Sequence, residues 1–175
     1  NWRIIMIRKF YILEGIAIVI LVVGILIGKT MSGEKAYYKD YDKGAEKAFQ
    51  KALKADTPEV SPDNPKFDRV MSLYRKVFEK YPDSSYADDA IYRFASKLDP
   101  TDEKASVLLR RLVNNYPDSP WADVSLYAIG MGHYFREDYD KAIVGFEKLM
   151  AEYPTTKLLM QTRYNRAMCY YGKKD

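Results

Sequence analysis

Residues able to do chemistry are few in this chain of 175 residues, with one histidine, His133, and one cysteine, Cys169. A Ser-His-Asp triad, a Cys-His dyad or a histidine-rich metal site would each have to be built around that one pair, and nothing in the spacing brings the two together. His133 lies on a helical stripe with Ile129 and Gly130, the place of a packed, hydrogen-bonded core residue. Cys169 sits in the apolar series Ala167, Met168, Cys169, Tyr170, which reads as a buried thiol and leaves no internal disulfide. The carboxylates Asp88 and Asp89, Asp99 and Asp102, and Glu137, Asp138 and Asp140 fall at helix starts and turns, where acidic groups complement the helix dipole. No glycine-rich phosphate loop and no metal-ligand cluster is present. The pattern is that of a protein that is not an enzyme and carries no cofactor or metal.

The elements around these residues are more informative. Trp121 to Pro154 reads as two amphipathic helices joined by Arg136, Glu137, Asp138 and Asp140. The first carries Leu126, Ile129, Gly130 and His133 on one stripe, and the second Tyr139, Ala142, Ile143, Phe146 and Leu149, at the three-and-four spacing of a buried face. Three Tyr-Pro pairs recur at Tyr81-Pro82, Tyr116-Pro117 and Tyr153-Pro154, with the prolines 35 and 37 residues apart. Proline pushes the residue before it out of the helical region, and the Asp, Ser or Thr that follows is expected to cap the next helix. Val70, Tyr74 and Val77 precede the first Tyr-Pro at the offsets at which Ala105, Leu109 and Leu112, and Ala142, Phe146 and Leu149, precede the second and third.

Small residues at Gly130 and Ala142, an aromatic at Phe146 and a helix-ending Pro154 give the chain a pattern that resembles a tetratricopeptide repeat, whose period is about 34 residues. The resemblance implies an all-α fold, a short solenoid of antiparallel helix pairs over residues 34–175, and a function of binding. The units are expected at 34–82, 86–119 and 121–156, with a last helix over 157–171 and Gly172 as its C-terminal cap. Two departures stand out: Arg93 is placed where the third unit has Gly130, and the first unit carries DTPEVSPDNPK, residues 56–66, before its second helix. Three prolines exclude a helix there, so the stretch reads as a spacer, with partner docking as the alternative. In its YPDS closures and the apolar run ahead of them, the chain resembles the repeat domains of bacterial envelope proteins, namely the Tol-Pal coordinator, the β-barrel assembly lipoprotein and single-span translocon-associated proteins.

That apolar run is YILEGIAIVILVVGILIG, residues 11–28, with Glu14 as its one charge. A helix of 18 residues spans roughly 27 Å, about the thickness of a hydrocarbon core. No small-residue cleavage site follows, so residues 1–33 are expected to form a basic segment and an uncleaved transmembrane anchor. Arg3, Arg8 and Lys9 before the run place the N-terminus inside and the repeats in the periplasm or another extracytoplasmic space, with the chain a single-pass protein of the inner membrane. Gly24 and Gly28 form a small-xxx-small pair that either contacts another transmembrane helix or reflects the frequency of glycine in such helices. The opening residue is Asn1 rather than methionine, which reads as a piece of a longer chain, with Met6 as an alternative start.

The net charge of +4 is unevenly placed. Residues 1–33 hold +3, and the remaining 142 carry 24 cationic and 23 acidic side chains, a balance of +1. A nearly neutral folded portion argues against nucleic acid, which needs a clustered basic face. Sixteen tyrosines suit helix packing and protein-protein anchoring alike. Ala90 and Phe94, then Tyr127, Met131 and Tyr134, then Tyr164, Met168 and Tyr171 are expected to turn away from the second helix of each unit. They form either an apolar groove for a partner's peptide or helix, or packing between repeats. Two functions follow: a membrane-anchored adaptor holding a protein partner outside the cytoplasm, or an accessory subunit of a large membrane complex, energy-transducing or otherwise, whose span packs in the membrane while its repeats clamp soluble subunits.

Overall fold

The computed structural model describes residues 30–174, and among them every regular element is a helix. The apolar run 11–28, with Gly24 and Gly28, lies outside the described residues. Among the described residues no helix is long and apolar enough to cross a membrane. The chain divides into two compact units, the first ending at Lys43 and the second running over Gly44–Asp175. In the first, residues 30–43 are helical, and Tyr37 meets Tyr38 edge-on at 5.7 Å between ring centroids. Tyr37 and Tyr38 are both exposed.

We label the helix over residues 30–55 α1. The others are α2 (Phe67–Lys80), α3 (Ala87–Ala95), α4 (Glu103–Asn115), α5 (Ala122–Phe135), α6 (Tyr139–Glu152) and α7 (Leu159–Gly172). From α2 onward each helix packs on its neighbours in sequence, the arrangement expected of stacked hairpins. The second-helix positions anticipated from their spacing are all buried: Val70, Tyr74 and Val77 on α2, Ala105, Leu109 and Leu112 on α4, and Ala142, Phe146 and Leu149 on α6. Each of the larger side chains contributes roughly 1.5–3 kcal/mol by leaving water. One polar cluster ties three segments, because the Tyr74 hydroxyl donates to the Asp56 carboxylate at 2.8 Å and Lys97 pairs with the same carboxylate at 2.6 Å.

The Tyr-Pro turns are one structure repeated. Ser84, Ser119 and Thr156 each donate a backbone N–H to the tyrosine carbonyl three residues back, and their own carbonyls accept from Ala87, Ala122 and Leu159. Their side chains do not cap the helices, contrary to the expectation from sequence. The N-cap positions are Tyr86, Trp121 and Leu158, without a side-chain cap. Ser119 and Thr156 instead accept from the backbone N–H two residues on, at 3.2 Å each, which folds the turn locally before the helix begins. A side-chain cap occurs on α4, where Asp102 accepts from Lys104 N–H at 2.9 Å.

The proline stretch 56–66 is more ordered than a spacer. Asn64 N–H donates to Ser61 and Phe67 N–H to Asn64, the hydrogen bonds of the Tyr-Pro turns without the tyrosine. Asn64 also donates from its side chain to the Glu59 carbonyl and accepts from Lys66 N–H, each at 2.9 Å, while Val60 is buried in the core. Ser61-Pro62-Asp63-Asn64-Pro65 is thus a further copy of the closure seen in Tyr116-Pro117-Asp118-Ser119-Pro120.

Two expected details of the last helix and the second unit change. Gly172 is the final residue of α7 and does not cap it; no glycine among the described residues has a positive φ. Its lack of a side chain matters because a Cβ there would come within 2.7 Å of the Tyr139 ring. The supposed departure at Arg93 disappears as well. The SSYAD and SPWAD turns superpose at an offset of 35, not 37, so Gly130 corresponds to Ala95, which is small and buried.

Candidate partner-binding surface

The eight residues expected to line one groove separate into three groups. Ala90 and Phe94 on α3 are buried among α2 and α3 residues. Phe94 meets Phe78 edge-on at 5.6 Å, with the Arg75 guanidinium 5.4 Å over its ring. These two are core, because the offset of 37 that suggested them is wrong for α3. With the offset of 35, the residue matching Tyr127 is Tyr92, which sequence reading missed and which counting from the SSYAD and SPWAD turns would have found. Tyr92 stacks on Trp121 at 4.2 Å and 11°, and the Trp121 indole N–H donates to Asp89 at 2.7 Å.

Tyr127, Met131 and Tyr134 on α5 are half-buried and pack against the cluster of Ala142, Ile143, Phe146 and Cys169. Tyr127 tilts against Phe146 at 6.0 Å and Tyr134 against Tyr139 at 5.9 Å. Asn165 of α7 donates to both the Tyr127 hydroxyl, at 2.7 Å, and the Met131 sulfur, at 3.2 Å. Packing between repeats therefore occupies these positions. On α7 the equivalent residues are open: Tyr164 is 63% exposed and Tyr171 66%, with Met168 half-buried between them. The stripe is one set of positions in two environments, covered on α5 and bare on α7.

The single histidine and the single cysteine are both buried. His133 is buried beneath the α5–α6 turn, where Arg136 Nη2 donates to its Nδ1 at 3.0 Å and the Asp138 carboxylate lies 3.6 Å away. Burial, then the Arg136 charge, holds the imidazole below its usual pKa. Cys169 is fully buried, and burial raises its thiol pKa. Among the described residues no group of three or more His, Cys, Asp and Glu side chains is placed to hold a metal ion.

Two of the open clefts among the described residues carry clustered cations. One, of about 540 Å³, lies among α2, α3 and α4, with Met71, Phe78, Phe94 and Leu108 as its apolar wall and Arg75 and Arg111 among its polar residues. The Arg111 guanidinium sits 5.6 Å over the Phe78 ring and donates to the Phe78 carbonyl at 3.3 Å. The other, of about 610 Å³, lies between α1 and α2 and is lined by Lys47, Lys51, Lys54, Lys66 and Arg69. The spacing of Lys47, Lys51 and Lys54 along α1 is that of one helical face, a signal present in the sequence.

Against this geometry, residues 124–156 match the tetratricopeptide repeat family. The α5–α6 hairpin is similar to a tetratricopeptide repeat. The match begins on the third residue of α5 and ends at Thr156, so it spans the small residue at Gly130, the turn under His133 and the Tyr153-Pro154 closure. Compared with curated proteins, the chain finds no match. An all-helical fold and a tetratricopeptide repeat together suggest a scaffold for protein-protein interaction.

Proposed function

We propose that this protein is a membrane-anchored tetratricopeptide scaffold, held by residues 11–28 and binding a protein partner on the extracytoplasmic side without catalysing a reaction. The observation that carries the reading is the tetratricopeptide hairpin α5–α6, matched over residues 124–156 and built into a stack with α3, α4 and α7. Stacked hairpins present long side-chain surfaces on a rigid frame, which suits capture of peptides and helices. The anchor and its orientation are supported by the 18-residue apolar run, whose one charge is Glu14, and by Arg3, Arg8 and Lys9 on its N-terminal side.

The exposed α7 face favours a second reading. Met160, Tyr164, Tyr170 and Tyr171 are exposed on α7, and a subunit clamped into a larger membrane complex would cover such a surface. Detergent extraction of the full chain, cross-linking and mass spectrometry separate the two. Loosely held clients cross-linked to the repeats support the adaptor; a stoichiometric complex that retains the chain through purification supports the subunit. Release of the full chain from membranes by alkaline carbonate would remove the anchor from both readings.

A further inference from the structure

The α1–α2 groove concentrates charge in a chain that is otherwise balanced. Lys47, Lys51, Lys54, Lys66 and Arg69 line it together with Gln50 and Thr57, and no acidic side chain does so. Among the described residues none of the five forms an ion pair, which is also true of Arg163 and Lys174; what sets the five apart is that they line one groove. Five cations sharing one cleft repel each other, and the cost falls when an anion enters. The Glu59 carboxylate, which accepts from the lining residue Thr57 and is attracted by Lys66, offsets one of the five.

The wall of the groove narrows the identity of the anion. Ala55 is half-buried in it and the lysine methylenes add apolar surface, while Val70 beneath is fully buried and offers none. A purely hydrophilic polyanion would leave this wall wet. A peptide that alternates carboxylates with aliphatic side chains satisfies both the rim and the floor.

We infer that the α1–α2 groove is a docking site for an acidic, amphipathic segment of a partner protein. The inference gives the scaffold reading one specific partner chemistry and rests on it. The test uses the full chain in detergent and a fluorescein-labelled 12-residue peptide of glutamate and leucine, followed by anisotropy. Binding weakens as salt rises from about 50 to 200 mM. Lys51→Glu with Arg69→Glu weakens it about tenfold, while Arg163→Glu with Lys174→Glu, two unpaired cations exchanged on and just beyond α7, leaves it unchanged. Circular dichroism melts of both double variants establish that the fold persists. Equal binding of a glutamine-leucine peptide, equal loss in both double variants, or binding to phosphatidylglycerol vesicles without binding to the peptide would overturn the inference. If the groove fails while native partners still cross-link to the Lys51→Glu, Arg69→Glu chain, the scaffold reading stands and the groove alone is wrong.

Discussion

The Tyr153 hydroxyl donates to the Pro117 carbonyl at 3.0 Å, and the Tyr116 hydroxyl makes the same bond to the Pro82 carbonyl at 2.5 Å. Each Tyr-Pro closure thus reaches back to the preceding one, so the motif that ends a helix also fixes the rise between repeats. The proline contributes to both: it cannot donate, and its carbonyl is left free for the next tyrosine. Tyr116→Phe and Tyr153→Phe are each expected to cost about 0.5–1.5 kcal/mol, the usual net worth of one hydrogen bond. Urea denaturation would measure this, and wild-type midpoints for both variants would show that the bonds carry no stability.

Gly130 and Gly145 face each other where α5 crosses α6, and they should respond differently to alanine. A Cβ on Gly130 would lie 2.5 Å from Cε1 of Phe146, whose ring is fully buried and has nowhere to move. A Cβ on Gly145 would rest 3.4 Å from the Gly130 backbone, an ordinary contact. Gly130→Ala is therefore expected to destabilise the fold by about 1–3 kcal/mol through overpacking. Gly145→Ala should be neutral or stabilising by up to about 1 kcal/mol from helix propensity. Thermal melts of the two variants decide the matter, and equal losses would contradict the close approach.

Periodicity made the second helices legible because their buried residues lie at fixed distances before a proline that cannot be shifted. The first helices were harder. The α5–α6 unit is two residues longer from Trp121 to Pro154 than the α3–α4 unit is from Tyr86 to Pro117, so an offset true at Pro117 and Pro154 is false at Tyr86 and Trp121, and it turned buried Ala90 and Phe94 into groove residues. The fourth closure, Ser61-Pro62-Asp63-Asn64, was hidden because it lacks the tyrosine by which the others are recognised. The groove cations were visible as a stripe on α1, yet Lys66 and Arg69 join them only through the path of the 56–66 turn, which no local pattern specifies.

Glu137 is the only non-glycine residue with a positive φ among those described, at 63°. It closes the α5–α6 turn by donating its N–H to the Tyr134 carbonyl at 2.9 Å, and its side chain is exposed. The left-handed conformation costs an L-residue about 1–2 kcal/mol. Glycine relieves that cost but gains freedom in the unfolded chain. Glu137→Gly is expected to raise stability by about 0.5–1 kcal/mol, which guanidinium denaturation would resolve; a loss would mean that the carboxylate itself supports the turn.

The same turn makes stability depend on pH through His133. Arg136 carries only donors, so its hydrogen bond to Nδ1 forms with the neutral imidazole, whereas the Asp138 carboxylate 3.6 Å from the same nitrogen favours the protonated one. Its pKa is lowered by burial and by Arg136, with Lys141 acting in the same direction and Asp138 opposing them. The unfolded histidine titrates near 6.5 and binds a proton that the folded one resists. The unfolded state therefore holds more protons as pH falls, and stability declines from about pH 7.5 to 5.5. His133→Gln keeps an acceptor toward Arg136 and removes the titration. Unfolding midpoints across this window should fall for the wild type and stay nearly level for the variant; parallel slopes would assign the pH dependence to other groups.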